Sequence, residues 1–318
     1  MQNSDLIEIK NLFVEYKTKK GILGGEKIIH AVNGVNLEIK KGEILAIAGE
    51  SGCGKSTLAK ALIKLEPVKS GEIMFEGQNI LTQNKKELKE FRKHAQMVFQ
   101  NPYASLNPKM KIGEILKEPL IINTKLSKQE ISAIIKEKIK LVGLNENCLD
   151  LYPHEFSGGQ RQRIAIARAL VLDPEFILAD EPVSALDVSI QAQVINLIKG
   201  LKENYNLTFL LITHDMSVIE YLADRVAIMY LGEIVELGST KEIFSNPYHP
   251  YTKALLNSVP QINKINSRTT IKGDLPSPAN LPSGCKFHTR CPFAMEKCKT
   301  CAPPEKGVTH KVRCFIYD

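Results

Sequence analysis

The sequence predicts an α/β protein with a mixed sheet, a helical insert and a small, irregular, cysteine-rich C-terminal appendage. Three observations lead there. Short apolar runs alternate with helix-spaced stretches in the body of the chain, the pattern of a buried parallel sheet. Two segments near the start alternate apolar and polar residues as antiparallel strands do. Of the seven cysteines, Cys285, Cys291, Cys298, Cys301 and Cys314 all fall within the last 34 residues.

Composition narrows the class. At 318 residues, 43% hydrophobic and 24% charged, the chain can bury a core and is neither a disordered tail nor a collagen-like rod. No apolar run approaches the ~18 to 20 residues of a spanning helix. The start, Met1-Gln2-Asn3-Ser4-Asp5, has neither a basic segment nor an apolar core, so a cytosolic chain without an export signal is expected. An odd number of thiols in that setting argues against a disulfide framework. The net charge of +7 is spread along the chain and reads as solvated surface.

In chain order, Leu6 to Glu15 and Ala31 to Ile39 read as antiparallel strands around a Gly- and Lys-rich loop near Lys17 to Glu26. Glu43 to Ala48 is a short strand that ends at a glycine loop, and Lys55 to Leu65 is a helix with Pro67 just beyond it. Lys85 to Leu170 is rich in Lys, Glu, Ile and Leu at helical spacing, notably Ser127 to Leu141, and reads as a helical insert without strands. Strand signals return at Phe176 to Ala179, Thr208 to Ile212 and Arg225 to Met229, with a helix at Val188 to Glu203. Beyond Ser239, prolines including Pro247, Pro250, Pro260, Pro276, Pro278 and Pro282 punctuate a segment expected to hold little regular structure. The expected domains are therefore 1–240, with its insert at about 85–170, and 241–318.

Gly49-Glu50-Ser51-Gly52-Cys53-Gly54-Lys55-Ser56 matches the phosphate-binding pattern G-x-x-x-x-G-K-[ST], between a strand and a helix start as the mechanism requires. Glycines let backbone N–H groups turn inward around phosphate oxygens, the helix N-terminus adds partial positive charge, Lys55 neutralises the terminal phosphates and Ser56 can hold Mg²⁺. The strand ending at Ala179 delivers Asp180 and Glu181 at its C-terminal end, where ligands bind in open parallel sheets. Asp180 is the candidate metal-holding acid and Glu181 the candidate base for an attacking water. Cys53, beside Lys55 and a helix N-terminus, is expected to have a depressed pKa and to be reactive.

With these motifs the chain resembles the ATPase subunits of ABC transporters, which implies a P-loop, ABC-type nucleotide-binding domain with ATP and Mg²⁺ as cofactors. Phe156-Ser157-Gly158-Gly159-Gln160-Arg161-Gln162-Arg163 is similar to that family's signature sequence, with Phe in place of the usual leading Leu. Further elements follow the family order: Tyr16 for the aromatic that stacks on adenine, Gln100 at the edge of the helical insert, Ser184-Ala185-Leu186-Asp187 after the acids, and His214 as the switch histidine. The resemblance implies nucleotide contacts from Tyr16, from Gly49 through Thr57, and from Gln100 and Asp180. It implies Mg²⁺ held by Ser56, Gln100 and Asp180, and hydrolysis carried by Glu181, His214, Lys55 and Gln100. Ser157, Gly158, Gly159, Gln160 and Asp187 would face ATP bound by a second ATPase subunit, so hydrolysis would require a dimer.

Phe99-Gln100-Asn101-Pro102-Tyr103, Ser105 to Pro108, Asn246 to Thr252 and the cysteine tail resemble the oligopeptide and dipeptide importers, especially the second of their two ATPase types. That likeness implies a heterodimer on the cytoplasmic face of the inner membrane, two membrane-spanning permease subunits docking at Gln100 to Leu116, and an extracytoplasmic solute-binding protein. A nickel or other small-solute importer is the alternative. A soluble ABC ATPase acting on nucleic acid or ribosomes is disfavoured, because neither a coiled-coil insertion nor a second cassette is present. The resemblance also associates Cys285, Cys291, Cys298 and Cys314 with an iron–sulfur cluster of the [4Fe–4S] type. Their spacing alone leaves zinc and free thiols open, and Cys301 competes with Cys314 as fourth ligand. His288 and His310 are expected to be solvent-exposed.

Overall fold

The computed structural model describes residues 5–19, 26–101, 105–184, 186–257 and 273–317. Pro102, Tyr103, Ala185, Pro260 and most of the loop after Lys17 lie outside the described residues. In chain order the elements are β1 (Asp5–Lys19), β2 (Glu26–Lys40), β3 (Ile44–Ala48), α1 (Lys55–Leu62), β4 (Ser70–Phe75), β5 (Gln78–Asn79), α2 (Lys85–His94), β6 (Ala95–Val98), α3 (Ile112–Asn123) and α4 (Lys128–Leu141). They continue with α5 (Gly158–Leu170), β7 (Phe176–Asp180), α6 (Val188–Tyr205), β8 (Thr208–Ile212), α7 (Met216–Leu222), β9 (Arg225–Tyr230), β10 (Glu233–Ser239), α8 (Thr240–Ser245), α9 (Pro250–Asn257), α10 (Glu296–Thr300) and β11 (Lys311–Val312). The chain divides into two units, one of residues 1–40, 44–81 and 212–318 and one of residues 41–43 and 82–211.

In the first unit, β1 and β2 pair antiparallel from Asp5↔Lys40 to Lys19↔Glu26, so the strands run further than their alternation shows and Lys17 to Lys19 is strand, not loop. β4 covers the other edge of β1, and β5 completes the order β2-β1-β4-β5. Leu12, Val14, Val32 and Ile39 are fully buried, each stabilising the core by about 1.5–3 kcal/mol. A second set of strands runs β11-β10-β9-β3. It is mixed: β3 lies parallel to β9, with Ala46 opposite Val226, whereas β10 is antiparallel to both β9 and β11. Every residue of β3 is buried, as expected of a strand covered on both faces.

The segment after Ser239 has more regular structure than the prolines suggest. It forms α8, α9, α10 and β11, and β11 adds to the edge of β10 at Glu236↔Val312 and Leu237↔Lys311. Buried Glu236 fastens this segment. Its carboxylate accepts from the backbone N–H groups of Tyr248 (2.7 Å) and His249 (2.9 Å) and from Nε2 of His310 (2.7 Å). The His310 ring stacks on Tyr248 at 4.0 Å between centroids. His310 is thus buried in a polar network, contrary to its expected exposure. Buried charge needs such partners.

In the second unit the strands run β8-β7-β6, with β6 and β7 parallel from Ala95↔Phe176 to Val98↔Ala179. β6 corrects the expectation of an insert without strands; four residues between Lys-rich segments are too few to show a period. Ser127 caps α4 through Glu130 N–H (3.3 Å), while the Glu130 carboxylate accepts from Ser127 N–H (2.7 Å). Ile131, Ile135 and Ile139 form the buried stripe of that helix.

Candidate active site

The phosphate loop joins β3 to α1 in the first unit. Gly49 has φ 154° and Gly54 has φ 107°; a Cβ at Gly49 would overlap the carbonyl oxygen of Met229, and one at Gly54 that of Ala31. Only glycine fits both positions. Gly54 caps α1 without a side-chain bond, leaving first-turn amides oriented along the helix axis as an anion-binding surface. Lys55 is buried, its Nζ donating to the carbonyl oxygens of Gly49 (2.7 Å) and Glu50 (2.9 Å). Ser51 and Gly52 are exposed, and Ser56 and Thr57 are half-buried. Tyr16 Oη donates to Thr57 Oγ1 at 3.4 Å, which brings the adenine-stacking candidate from β1 to the start of α1. His214 is exposed just after β8.

Cys53 departs from the sequence expectation. Its side chain is buried, and burial pushes the thiol pKa up, outweighing the opposing effect of Lys55, whose Nζ lies 3.8 Å from Sγ. The helix N-terminus does not decide the chemistry here because the sulfur faces away from water.

In the second unit, Asp180 is the buried last residue of β7, and Glu181 follows at φ 45°. A left-handed non-glycine residue costs about 1–2 kcal/mol and turns the chain sharply at this point. Gln100 Nε2 donates to Glu181 Oε2 at 2.7 Å, so the two catalytic candidates of this unit touch. Ser184 Oγ donates to the Glu181 carbonyl at 3.1 Å, closing the turn.

The signature residues form the start of α5. Gln160 N–H donates to Ser157 Oγ at 3.4 Å and Ser157 N–H to Gln160 Oε1 at 3.0 Å, a reciprocal capping box that leaves both side chains exposed. A Cβ on Gly159 would overlap Ile190 Cγ2, and one on Gly158 would sit 3.3 Å from Leu186. The glycines therefore serve close packing of this helix start against the segment after β7. Exposed Asp187 is the N-cap of α6, its carbonyl accepting from Ile190 (2.9 Å) and Gln191 (2.8 Å).

Cys285, Cys291, Cys298 and Cys314 line one pocket in the first unit, walled by Phe287, Phe293 and Phe315, while Cys301 is exposed and does not line it. Burial pushes the Cys285 thiol up to about 11, and the neighbouring Cys298, Cys314 and Cys291 sulfurs add to the shift. Among the described residues no three His, Cys, Asp or Glu side chains stand close enough to hold a metal ion between them. His288 also lines this pocket, with its Nδ1 2.8 Å from the Cys285 carbonyl oxygen.

Sequence reasoning missed a cluster behind the phosphate loop. Arg290 from the tail forms a two-pronged ion pair with Glu50, at 2.7 and 3.0 Å, and Tyr251 Oη accepts from the Glu50 N–H at 2.8 Å. No spacing rule links residues 240 positions apart.

Comparison with known proteins agrees with this geometry. Residues 32–184 match the ABC transporter family model, and residues 235–298 match that of the oligopeptide/dipeptide transporter C-terminal region. The dipeptide transport ATP-binding protein DppF of Haemophilus influenzae is 51% identical over 322 residues, covering 100% of this chain and 98% of that protein. The oligopeptide transport ATP-binding protein AppF of Bacillus subtilis is 52% identical, over 91% of this chain and 90% of its own length. Among solved structures, the dimeric post-hydrolysis ATP-binding cassette MJ0796 bound to ADP and Pi matches with a TM-score of 0.66 and 33% identity, covering 74% of this chain and 98% of that one. A glycine loop that only glycine can build, an acid-ended strand and likeness along the whole chain thus agree: the protein belongs to the ABC transporter ATP-binding family, in the group that carries the oligopeptide/dipeptide transporter C-terminal region.

Proposed function

We propose that this chain is the ATP-hydrolysing motor of a di- or oligopeptide importer. The observation that supports hydrolysis is the 2.7 Å bond from Gln100 to Glu181 at the end of β7, which aims a carboxylate from a strained turn beside a second, buried acid. The match of residues 235–298 to the oligopeptide/dipeptide transporter C-terminal region supports the substrate class. Lys55, Ser56 and the loop amides would bind the phosphates. Ser56, Gln100 and Asp180 would hold Mg²⁺, which neutralises phosphate charge; Glu181 would polarise the attacking water, and His214 would bond the γ-phosphate. Tyr16 would stack on adenine.

Each motif occurs once, so Ser157, Gly158, Gly159, Gln160 and Asp187 would complete the nucleotide site of a second, different ATPase subunit. The dimeric cassette among the structural relatives supports a dimer, though not that its two subunits differ. No helix among the described residues is long and apolar enough to cross a membrane, so transport would run through two permease partners, loaded by a solute-binding protein. The chain would sit peripherally on the cytoplasmic face. Exposed Phe99, Ile121 and Ile122 on the second unit suit docking of such a partner. We retain 1–240 as the ATPase domain and 241–318 as its extension.

Cys285, Cys291, Cys298 and Cys314 would hold the iron–sulfur cluster, with zinc as the alternative. Thiols as donors suit either group and all four line one aromatic-walled pocket, but as placed no three of them converge on a common point, so binding would require the side chains to close together. When bound, the group would serve as a structural cross-link. The function is tested by reconstituting the chain with its permeases in vesicles: peptide-loaded binding protein should accelerate ATP hydrolysis and peptide should accumulate. Hydrolysis indifferent to peptide would refute the substrate class.

A further inference from the structure

We propose that Arg290, from the cysteine-rich tail, is a positioning residue of the nucleotide site, holding the phosphate loop ready for ATP through Glu50. Every polar group of Glu50 is committed. Its carboxylate takes both prongs of the Arg290 guanidinium, at 2.7 and 3.0 Å. The Glu50 N–H donates to Tyr251 Oη at 2.8 Å, and its carbonyl accepts from Lys55 Nζ at 2.9 Å. The Arg290 side chain is 7% exposed, and its guanidinium carbon lies 5.9 Å from the Tyr230 ring centroid.

Behind this pair stands an aromatic wall. Tyr230 meets Tyr251 edge-on at 4.8 Å and Phe287 at 5.2 Å. Phe287 and Arg290 both come from the stretch between Cys285 and Cys291, so a single tail segment supplies the wall and the cation.

Two physical effects make the contact matter for ATP. Gly49, Gly52 and Gly54 all have positive φ, and glycine loses more freedom on ordering than any other residue, so a loop built on them gains from a clamp that orders it in advance. A bidentate guanidinium–carboxylate pair is the side-chain contact best suited to fix direction as well as distance. In addition, a bare carboxylate at Glu50 would repel the phosphates that the loop receives, and Arg290 cancels that charge. The order of the tail is thereby tied to nucleotide affinity.

The test is calorimetric titration of the full-length chain with Mg-ATP, alongside amide exchange of residues 49–54 and a thermal melt. Arg290→Ala should raise the Kd about tenfold and speed exchange in the loop, and Arg290→Lys, which keeps the charge but lacks the planar two-pronged fork, should fall between. Lys311→Ala is the control: it removes another tail cation, one paired with Glu305 at 3.3 Å and touching neither Glu50 nor the thiol pocket, and should leave Kd within about twofold of wild type. A Kd unchanged in Arg290→Ala, or equal weakening by Lys311→Ala, would overturn the proposal. If Arg290→Ala does not fold, Arg290→Lys carries the test, and a wild-type Kd in that variant overturns it.

Discussion

Replacing His310 by Ala removes one of three donors to a carboxylate that has no other recourse. The Glu236 side chain is 0% exposed and that of His310 8% exposed, so water does not substitute for the ring. Two backbone N–H groups remain on Glu236, at 2.7 and 2.9 Å, which keeps the loss below the ~3–5 kcal/mol of a fully orphaned buried partner. The lost bond to a charged acceptor is worth about 1.5–3 kcal/mol. Loss of the 4.0 Å stack on Tyr248 adds about 0.5–1.5 kcal/mol. The expected sum is about 3 kcal/mol, which corresponds to a fall of about 6–12 °C in Tm for a domain of this size. Differential scanning calorimetry of the purified chain measures it. His310→Gln, whose amide can still donate, should recover part of the loss. A Tm within about 2 °C of wild type for His310→Ala would refute the account of how β11 is fastened to β10.

Three further outcomes follow. A maleimide should label Cys53 in the folded chain at least about tenfold more slowly than the exposed Cys301, because burial holds the Cys53 thiol protonated; mass spectrometry of labelled peptides checks it. Anaerobically purified Cys314→Ser should lose bound iron while Cys301→Ser keeps it, as only Cys314 lines the pocket with the other three thiols; iron analysis showing the reverse would reassign the fourth ligand. Lys55→Ala should weaken Mg-ATP binding by about 10-fold or more in calorimetry, since in the proposed site its charge would face the phosphates already in the ground state.

The glycine loop was readable because its function demands a contiguous string, and β3, β7, β8 and β9 because full burial on both faces makes them continuous apolar runs. β10 was hidden by Glu236, a charged residue at a buried position whose partners lie in Tyr248, His249 and His310. β4 escaped because only Ile73 and Phe75 of its six residues are buried, too few to show an alternation. Cys53 misled because local electrostatics is legible from neighbours in sequence and burial is not. The contact of Gln100 with Glu181 and that of Arg290 with Glu50 are tertiary facts; composition, periodicity and spacing carry no record of either.

The central claim is that Glu181 is the group that makes this nucleotide-binding chain a motor. The direct measurement is phosphate release by the assembled transporter, wild type against Glu181→Gln, with Mg-ATP binding measured in parallel. The amide keeps the length of the side chain and can still accept the 2.7 Å bond from Gln100, so only the base is removed. The account predicts binding within about threefold of wild type and hydrolysis lower by about 10²–10⁴-fold, a barrier increase of about 2.7–5.4 kcal/mol. Phosphate release within about threefold of wild type would contradict it.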